Sequence, residues 1–238
     1  PLTLYGPPGL GDLFDVLRPI LGRSRFEISL VEIEPGDAVA HDGYEIRAFE
    51  VEHRVSACGY SLVEEDRPGR LDVAAARRLG VPEGPAFGSL QRGESVEGAS
   101  GIVTPAEVMG EARLGRRVAL SGDTAPCNAT VEAARDAELL IHDASFAEEE
   151  AQRAAETGHS TAGQAAALAR EAGVKMLALV HISSRYHVKS ILEEAREEFE
   201  PSVAPRDFDI VEIPFPERGG PQLIPNGARE GSAPPADD

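Results

Sequence analysis

A chain of 238 residues, 42% of them hydrophobic and 27% charged, can bury one substantial core or two small ones, and its formal charge of -18 excludes diffuse counterion release as the main source of any nucleic-acid affinity. No window is apolar enough to span a bilayer and no signal-peptide pattern opens the chain, which together point to a cytoplasmic protein with no membrane partner, while Cys58 and Cys127 lack the spacing of a disulfide scaffold and read as two buried thiols. The 41 acidic residues against 23 basic ones, with lysine at only Lys175 and Lys189, suit a cytoplasm at molar salt, where the Debye length is ~3 Å, and a halophilic source is expected.

Pro1 to Gly9 reads as a strand entering a Gly/Pro turn. Leu10, Leu13, Phe14, Leu17 and Leu21 then recur at helical spacing, with Pro19 expected to bend or end the helix. Phe26 to Glu34 and Tyr44 to His53 alternate as strands do, so His53 is expected at a strand end on the face of Phe49 and Val51. From Glu64 to Arg117 the texture turns to charge, glycine and proline, and this stretch is expected to be an inserted flexible arm with local basic character from Arg67, Arg70, Arg77, Arg78 and Arg92. Strand and helix then alternate. Val118 to Leu120 leads into Ser121-Gly122-Asp123-Thr124, a helix follows near Thr130 to Ala137, and Leu139 to Ile141 ends at His142-Asp143. Thr161 to Ala172 is a helix with a capping box at Thr161 and Gln164 and a stop at Gly173. Met176 to Val180 is a buried strand that delivers His181, and Ile191, Leu192, Ala195 and Phe199 mark a last amphipathic helix before the strand Phe208 to Ile213. Pro216 to Asp238 reads as a disordered acidic tail, which leaves residues 1–215 as the folded domain.

Possible metal ligands stand at or just after strand-like runs in Glu52-His53-Arg54, Ser121-Gly122-Asp123-Thr124 and His181-Ile182-Ser183-Ser184-Arg185-Tyr186. Neutral imidazole suits zinc, and a carboxylate can bridge two divalent ions that together generate hydroxide and stabilise an in-line displacement at phosphorus. Asp123, after a glycine at a strand end, is the natural bridge. His159, in Gly158-His159-Ser160-Thr161 at the mouth of a capped helix, sits where backbone N–H groups favour an anion. Each residue also has a plainer reading: His53 and His181 as hydrogen-bonded core histidines, Asp123 as a turn or helix cap, Arg185 as an ion-pair partner that braces its loop. His142 and Asp143 read as structural or supporting, and His41 and His187 as solvated.

Taken in order, these segments resemble the C-terminal part of ribonuclease Z, a tRNA 3′-processing endonuclease of the metallo-β-lactamase superfamily; Gly158 to Ala162 and His181 to Tyr186 carry the most specific part of the likeness, and Gly84-Pro85 to Gly93 resembles that family's arm. The resemblance implies an α/β fold, the αβ/βα sandwich, here N-terminally truncated. It also implies His53 on one zinc, Asp123 bridging two, His181 on the second, and His159 at the scissile phosphate or the leaving oxygen. Gly84, Pro85, Arg92 and Arg185 would contact substrate. The implied partners are precursor tRNA and, as a homodimer, a second copy whose arm clamps the tRNA.

The family carries His-x-His-x-Asp-His ahead of the residues with which this sequence starts, and that motif is not among the 238 residues. The sequence therefore reads as part of a longer enzyme or as a degenerate half. The alternatives to the nuclease are another metallo-β-lactamase-fold phosphodiesterase or sulfatase-like hydrolase, and a non-catalytic RNA-binding protein. With the motif absent each metal is under-coordinated, so the 238-residue chain is expected to bind zinc weakly and cleave poorly. Zinc retained at two equivalents after dialysis, with vigorous endonuclease activity, is the result that contradicts this.

Overall fold

The computed structural model describes residues 1–22 and 24–227, which divide into two compact units: Pro1–Val63 with Arg116 onward, and Glu64–Gly115. The first is organised by a seven-stranded sheet. Its order runs Ser202–Val203, Leu177–Val180, Leu139–Asp143, Arg117–Leu120, Cys58–Glu64, Tyr44–Glu50, Ala38–His41. The first four strands are parallel, with registers such as Leu179 opposite His142 and Ala119 opposite Leu140; Cys58–Glu64 pairs antiparallel with Arg117–Leu120, and Ala38–His41 antiparallel with Tyr44–Glu50.

Alternation along the central strands fills both faces of this sheet. Leu140, Leu177 and Leu179 point into the larger core, where they meet the helix Ala162–Ala172 and Ile191 and Ala195 of the helix Val188–Glu198. Leu139, Ile141 and Ala178 point the other way, against Val203, Val211 and Ile213. The first helix buries Ala162, Ala165, Ala166, Ala169 and Ala172, and side chains this small let its backbone approach the sheet closely. Its termini follow from the sequence. Thr161 and Gln164 form the capping box, and Gly173 takes the left-handed conformation at the C-terminus, φ 70°.

Several elements differ from the sequence expectation. The helix Leu10–Leu21 runs through Pro19, which lies near its C-terminus and forfeits only one interior hydrogen bond, and Gly22 N–H closes the helix on Arg18 O at 3.0 Å. The strand expected to reach His53 stops at Glu50, because Glu52 leaves the sheet to pair with Ala125. Leu2–Gly6 and Ile28–Glu32 pair in parallel as a separate two-stranded sheet. The segment expected to be a disordered tail is ordered at its start: Pro216–Arg218 forms a 3-10 turn, and Gln222–Ile224 pairs antiparallel with Ile210–Glu212. Its prolines and glycines mark the turns that flank this hairpin. Residues 228–238 lie outside the described residues. Among the described residues no helix is long and apolar enough to cross a membrane.

The Glu64–Gly115 span has a core of its own. Ala76, Val81, Leu90, Val103 and Val108 are buried together. Val81 lies in the loop after the helix Val73–Arg78, and the others come from that helix, the helices Pro85–Gln91 and Pro105–Val108, and the hairpin Val96–Gly98 with Gly101–Val103. Asp72 caps the first helix by accepting from Ala75 N–H at 2.9 Å, and Glu107 accepts from the N–H and hydroxyl of Thr104 at the start of the third. Gly84, φ 101°, makes the turn that lets Pro85 open the second helix, and Arg92 at its end is paired with Glu94 at 3.2 Å.

Thr161 is fully buried, accepts from Gln164 N–H at 3.1 Å and donates to Glu148 Oε2 at 2.7 Å. Thr161→Ala is expected to remove about 1–2 kcal/mol of stability, since it opens the cap and strips the Glu148 carboxylate of a buried donor. A lowered urea midpoint at unchanged m-value checks this.

Candidate active site

The parallel strands Arg117–Leu120, Leu139–Asp143 and Leu177–Val180 run in one direction, so the loops that follow them open on the same edge of the sheet. That edge, beyond the carboxyl ends of parallel strands, is where open α/β sheets place their ligands. The three loops carry Asp123, Ser145 and His181. Two further segments reach the same place: the His53 loop through the Glu52–Ala125 bridge, and the Gly158–Thr161 turn through the Phe146–Thr161 bridge.

One buried carboxylate joins them. Asp143 is fully buried and accepts four hydrogen bonds, from Thr124 N–H (3.1 Å) and His159 Nδ1 (2.6 Å) on Oδ2, and from Ser145 N–H (2.9 Å) and Ser145 Oγ (2.6 Å) on Oδ1. Thr124 in turn accepts from Glu52 N–H at 3.0 Å, and Ser160 Oγ donates to Thr124 O at 2.7 Å. A buried anion needs every acceptor site filled, and here the filling groups come from separate loops. Satisfying Asp143 therefore sets the positions of the loops around it.

Those contacts also fix the histidine tautomers. His53 Nδ1 lies 2.7 Å from Gly158 O, which can only accept, so Nδ1 carries the proton and Nε2 is left as a lone pair. His159 Nδ1 donates to the Asp143 carboxylate. His181 Nδ1 is 2.6 Å from Ser145 Oγ, whose single proton goes to Asp143 Oδ1, so His181 donates there and its Nε2 is again bare. That Nε2 stands 3.8 Å from Asp123 Oδ2. Two acceptors facing each other at this distance can share a cation or a donating water between them. Ligand atoms of His53, Asp123 and His159 all lie within 4.8 Å of one another, as do those of Asp143, His159 and His181. Imidazole lone pairs and a carboxylate, each imidazole oriented through its other nitrogen, are the donor set of a divalent metal, and the residues present fit one.

The backbone is shaped for this arrangement. His181 sits at φ 59°, a left-handed conformation that a non-glycine residue adopts at a cost of about 1–2 kcal/mol. Gly158, φ 73°, ends the helix Ala151–Thr157, and a Cβ there would lie 3.1 Å from His53 Nδ1 and 3.3 Å from Arg54 N. His142 is fully buried and donates from Nδ1 to Asp143 O at 2.8 Å, and burial pushes its imidazole below the ordinary range; it stays a neutral support in the core.

The structure thus brings His53, Asp123, His159 and His181 into one cluster. Arg185 is braced: its Nη1 lies 3.0 Å from Glu150 Oε2, its guanidinium sits 5.6 Å over the Phe146 ring, and Tyr186 OH donates to the same carboxylate at 2.7 Å. Gly84, Pro85 and Arg92 belong to the Glu64–Gly115 unit. Sequence reasoning passed over Ser145 altogether; two residues beyond Asp143 in the same loop was its only signal.

Known proteins resemble this chain in sequence and in fold. A family model described as a beta-lactamase superfamily domain matches residues 103–182. Ribonuclease Z of Methanosarcina acetivorans is 48% identical over 218 residues, which cover 90% of this chain and 72% of that protein. Ribonuclease Z of Haloferax volcanii is 47% identical over 225 residues, covering 92% and 71%. Among solved structures, the short form of human tRNase Z matches with a TM-score of 0.58 at 21% identity, covering 90% of this chain and 68% of that one, a likeness of fold.

Gly158→Ala is expected to push the His53 imidazole off Gly158 O and add strain at a positive φ. Affinity for Zn²⁺, measured by competition with a chromogenic chelator, should fall about 10-fold or more while the circular dichroism spectrum is kept.

Proposed function

Since the chain belongs to the ribonuclease Z family, we propose that it is a metal-dependent endoribonuclease that removes the 3′ trailer from precursor tRNA. The observation that carries this reading is the convergence of three oriented imidazoles and Asp123 on one edge of the sheet. His53, Asp123 and His181 would hold the metal, taken to be zinc and two ions, with Asp123 the carboxylate that both would use. Bound there, the ions supply Lewis acidity toward the attacking water and the phosphoryl oxygens.

The chain's own groups do the rest. His159, protonated on both nitrogens, keeps Nδ1–H on Asp143 and presents Nε2–H to the leaving oxygen. The buried carboxylate holds the plane of the ring, so the proton is delivered along a fixed direction. As the P–O3′ bond breaks, that proton completes a 3′-hydroxyl on the tRNA, and the phosphate stays on the 5′ end of the trailer. His159 also follows Gly158 at the entrance of the helix Ala162–Ala172, whose positive end favours the substrate anion.

The precursor tRNA, the paired second copy, the cytoplasmic setting and the halophilic source belong to this reading. They draw on the family and on the acid-rich, lysine-poor composition. A small-ester hydrolase of the same fold is the nearest competitor, and removal of Glu64–Gly115 separates the two, because it should abolish tRNA cleavage and spare a small phosphodiester.

Two substitutions test the division of labour. His53→Ala is expected to lower zinc affinity. His159→Ala is expected to leave zinc affinity within about 3-fold and to lower single-turnover cleavage of a 3′-extended tRNA about 10²–10⁴-fold at saturating metal. If both variants lose metal equally, His159 is a ligand and not the acid. If His181→Ala leaves tRNA binding intact and the chain preceded by a His-x-His-x-Asp-His segment and loaded with zinc cuts nothing, the RNA-binding alternative replaces the nuclease.

A further inference from the structure

Beside His159 and His181 lies a cavity of about 380 Å³ whose wall includes Arg54, Arg153, Arg185, Thr157 and Ile182 and no acidic residue. In a chain with 41 acidic residues against 23 basic ones, three arginines around one cavity is a departure that composition does not produce. Of the neighbouring cavities on the same unit, one is lined by Glu50 and Glu52 with no basic residue, and another by Glu34 and Glu50 together with His53 and Arg54, so Arg54 borders both that cavity and the arginine-lined one.

The three arginines are not equivalent. Arg185 is committed to Glu150 and to the Phe146 ring, which fixes its guanidinium plane against the loop. Arg153 approaches the same Glu150 at 3.6 Å and keeps 53% of its side chain exposed. Arg54 has no carboxylate partner among the ion pairs of the described residues, and its stem is set by Gly158, where a Cβ would lie 3.4 Å from Arg54 Cγ. Glu150 therefore offsets at most part of the positive charge. Its carboxyl is held below the usual range, first by the Tyr186 hydroxyl and then by Arg185 and Arg153. What is left is a cation-rich hollow beside His159 and His181. A guanidinium fork matches a phosphodiester bidentately, and the Ile182 side chain with the face of Arg185 gives a base an apolar and a planar surface.

We propose that this cavity is a nucleotide subsite: Arg54 and Arg153 hold the phosphodiester next to the scissile one, and the attached base lies against Ile182 and Arg185. This rests on the nuclease reading for which bond is cut, but not for the binding of single-stranded RNA. Arg54 and Arg153 are positioning residues. They would register the strand so that the neighbouring phosphate meets His159.

The test titrates the full chain and its Arg54→Ala/Arg153→Ala double variant with two fluorescent probes, a 3′-extended tRNA and a short single-stranded RNA, over a range of salt. The double variant should bind both probes about 10- to 100-fold more weakly, and the slope of log K against log[salt] should fall by about 0.7 for the phosphate released. Arg54→Lys/Arg153→Lys should recover the slope and only part of the affinity, a pattern that a general loss of structure would not give. Equal affinity and slope in parent and double variant, or a parent that binds neither probe, overturns the subsite. A parent that binds the short RNA through these arginines yet leaves the precursor uncut overturns the nuclease reading alone.

Discussion

The Asp143 carboxylate is the constraint on which the site depends. It is the one fully buried acid at the edge of the sheet where the strands Arg117–Leu120, Leu139–Asp143 and Leu177–Val180 open, and each of its oxygens is held by two donors. A charge in that position is tolerated only with complete hydrogen bonding, and completion requires the Thr124 loop, the Ser145 turn and the His159 turn to be in place at once. The positions of these loops are therefore set by the folded core through Asp143. Through Ser145 the same carboxylate reaches His181, and through Thr124 it reaches the segment that carries His53.

Much of this was legible in the chain because local chemistry and tertiary role coincide. The capping box at Thr161 and Gln164, the glycine stop at Gly173 and the apolar run into His181 each specify their element by short-range interactions, and the structure contains all of them. His53, Asp123, His159 and His181 were visible as side chains that follow strands. The misses have a common cause in contacts distant along the chain. The path of residues 51–53 is set by pairing with Ala125, some seventy positions away, and no periodicity within Tyr44 to His53 carries that information. Ser145 acquires its importance from accepting the His181 proton, which only the fold brings near. The core inside Glu64–Gly115 was hidden for a different reason: its helices are six, seven and four residues long, too short to produce an amphipathic period against a background of glycine, proline and charge.

Charge is distributed in the same two-level way. Over the whole chain the acidic excess is a property that favours solubility. Around the reacting centre the sign reverses locally, with arginines in place of the scarce lysines. Arginine keeps its geometry when long-range fields are screened, since a planar fork binds by direct contact. A protein can in this way carry a strongly negative surface and still recognise a polyanion.

The strands Cys58–Glu64 and Arg117–Leu120 pair antiparallel, with Tyr60 opposite Leu120 and Val63 opposite Arg117. At the base of the inserted unit, Gly115 packs so tightly on the Glu64 carbonyl that it has no room for a Cβ. Topologically, the whole 64–115 excursion occupies the turn of an ordinary β-hairpin. A turn can be lengthened, exchanged or trimmed without altering the ladder on either side, so the 64–115 unit can vary while the strands that lead into Asp123, Ser145 and His181 keep their register.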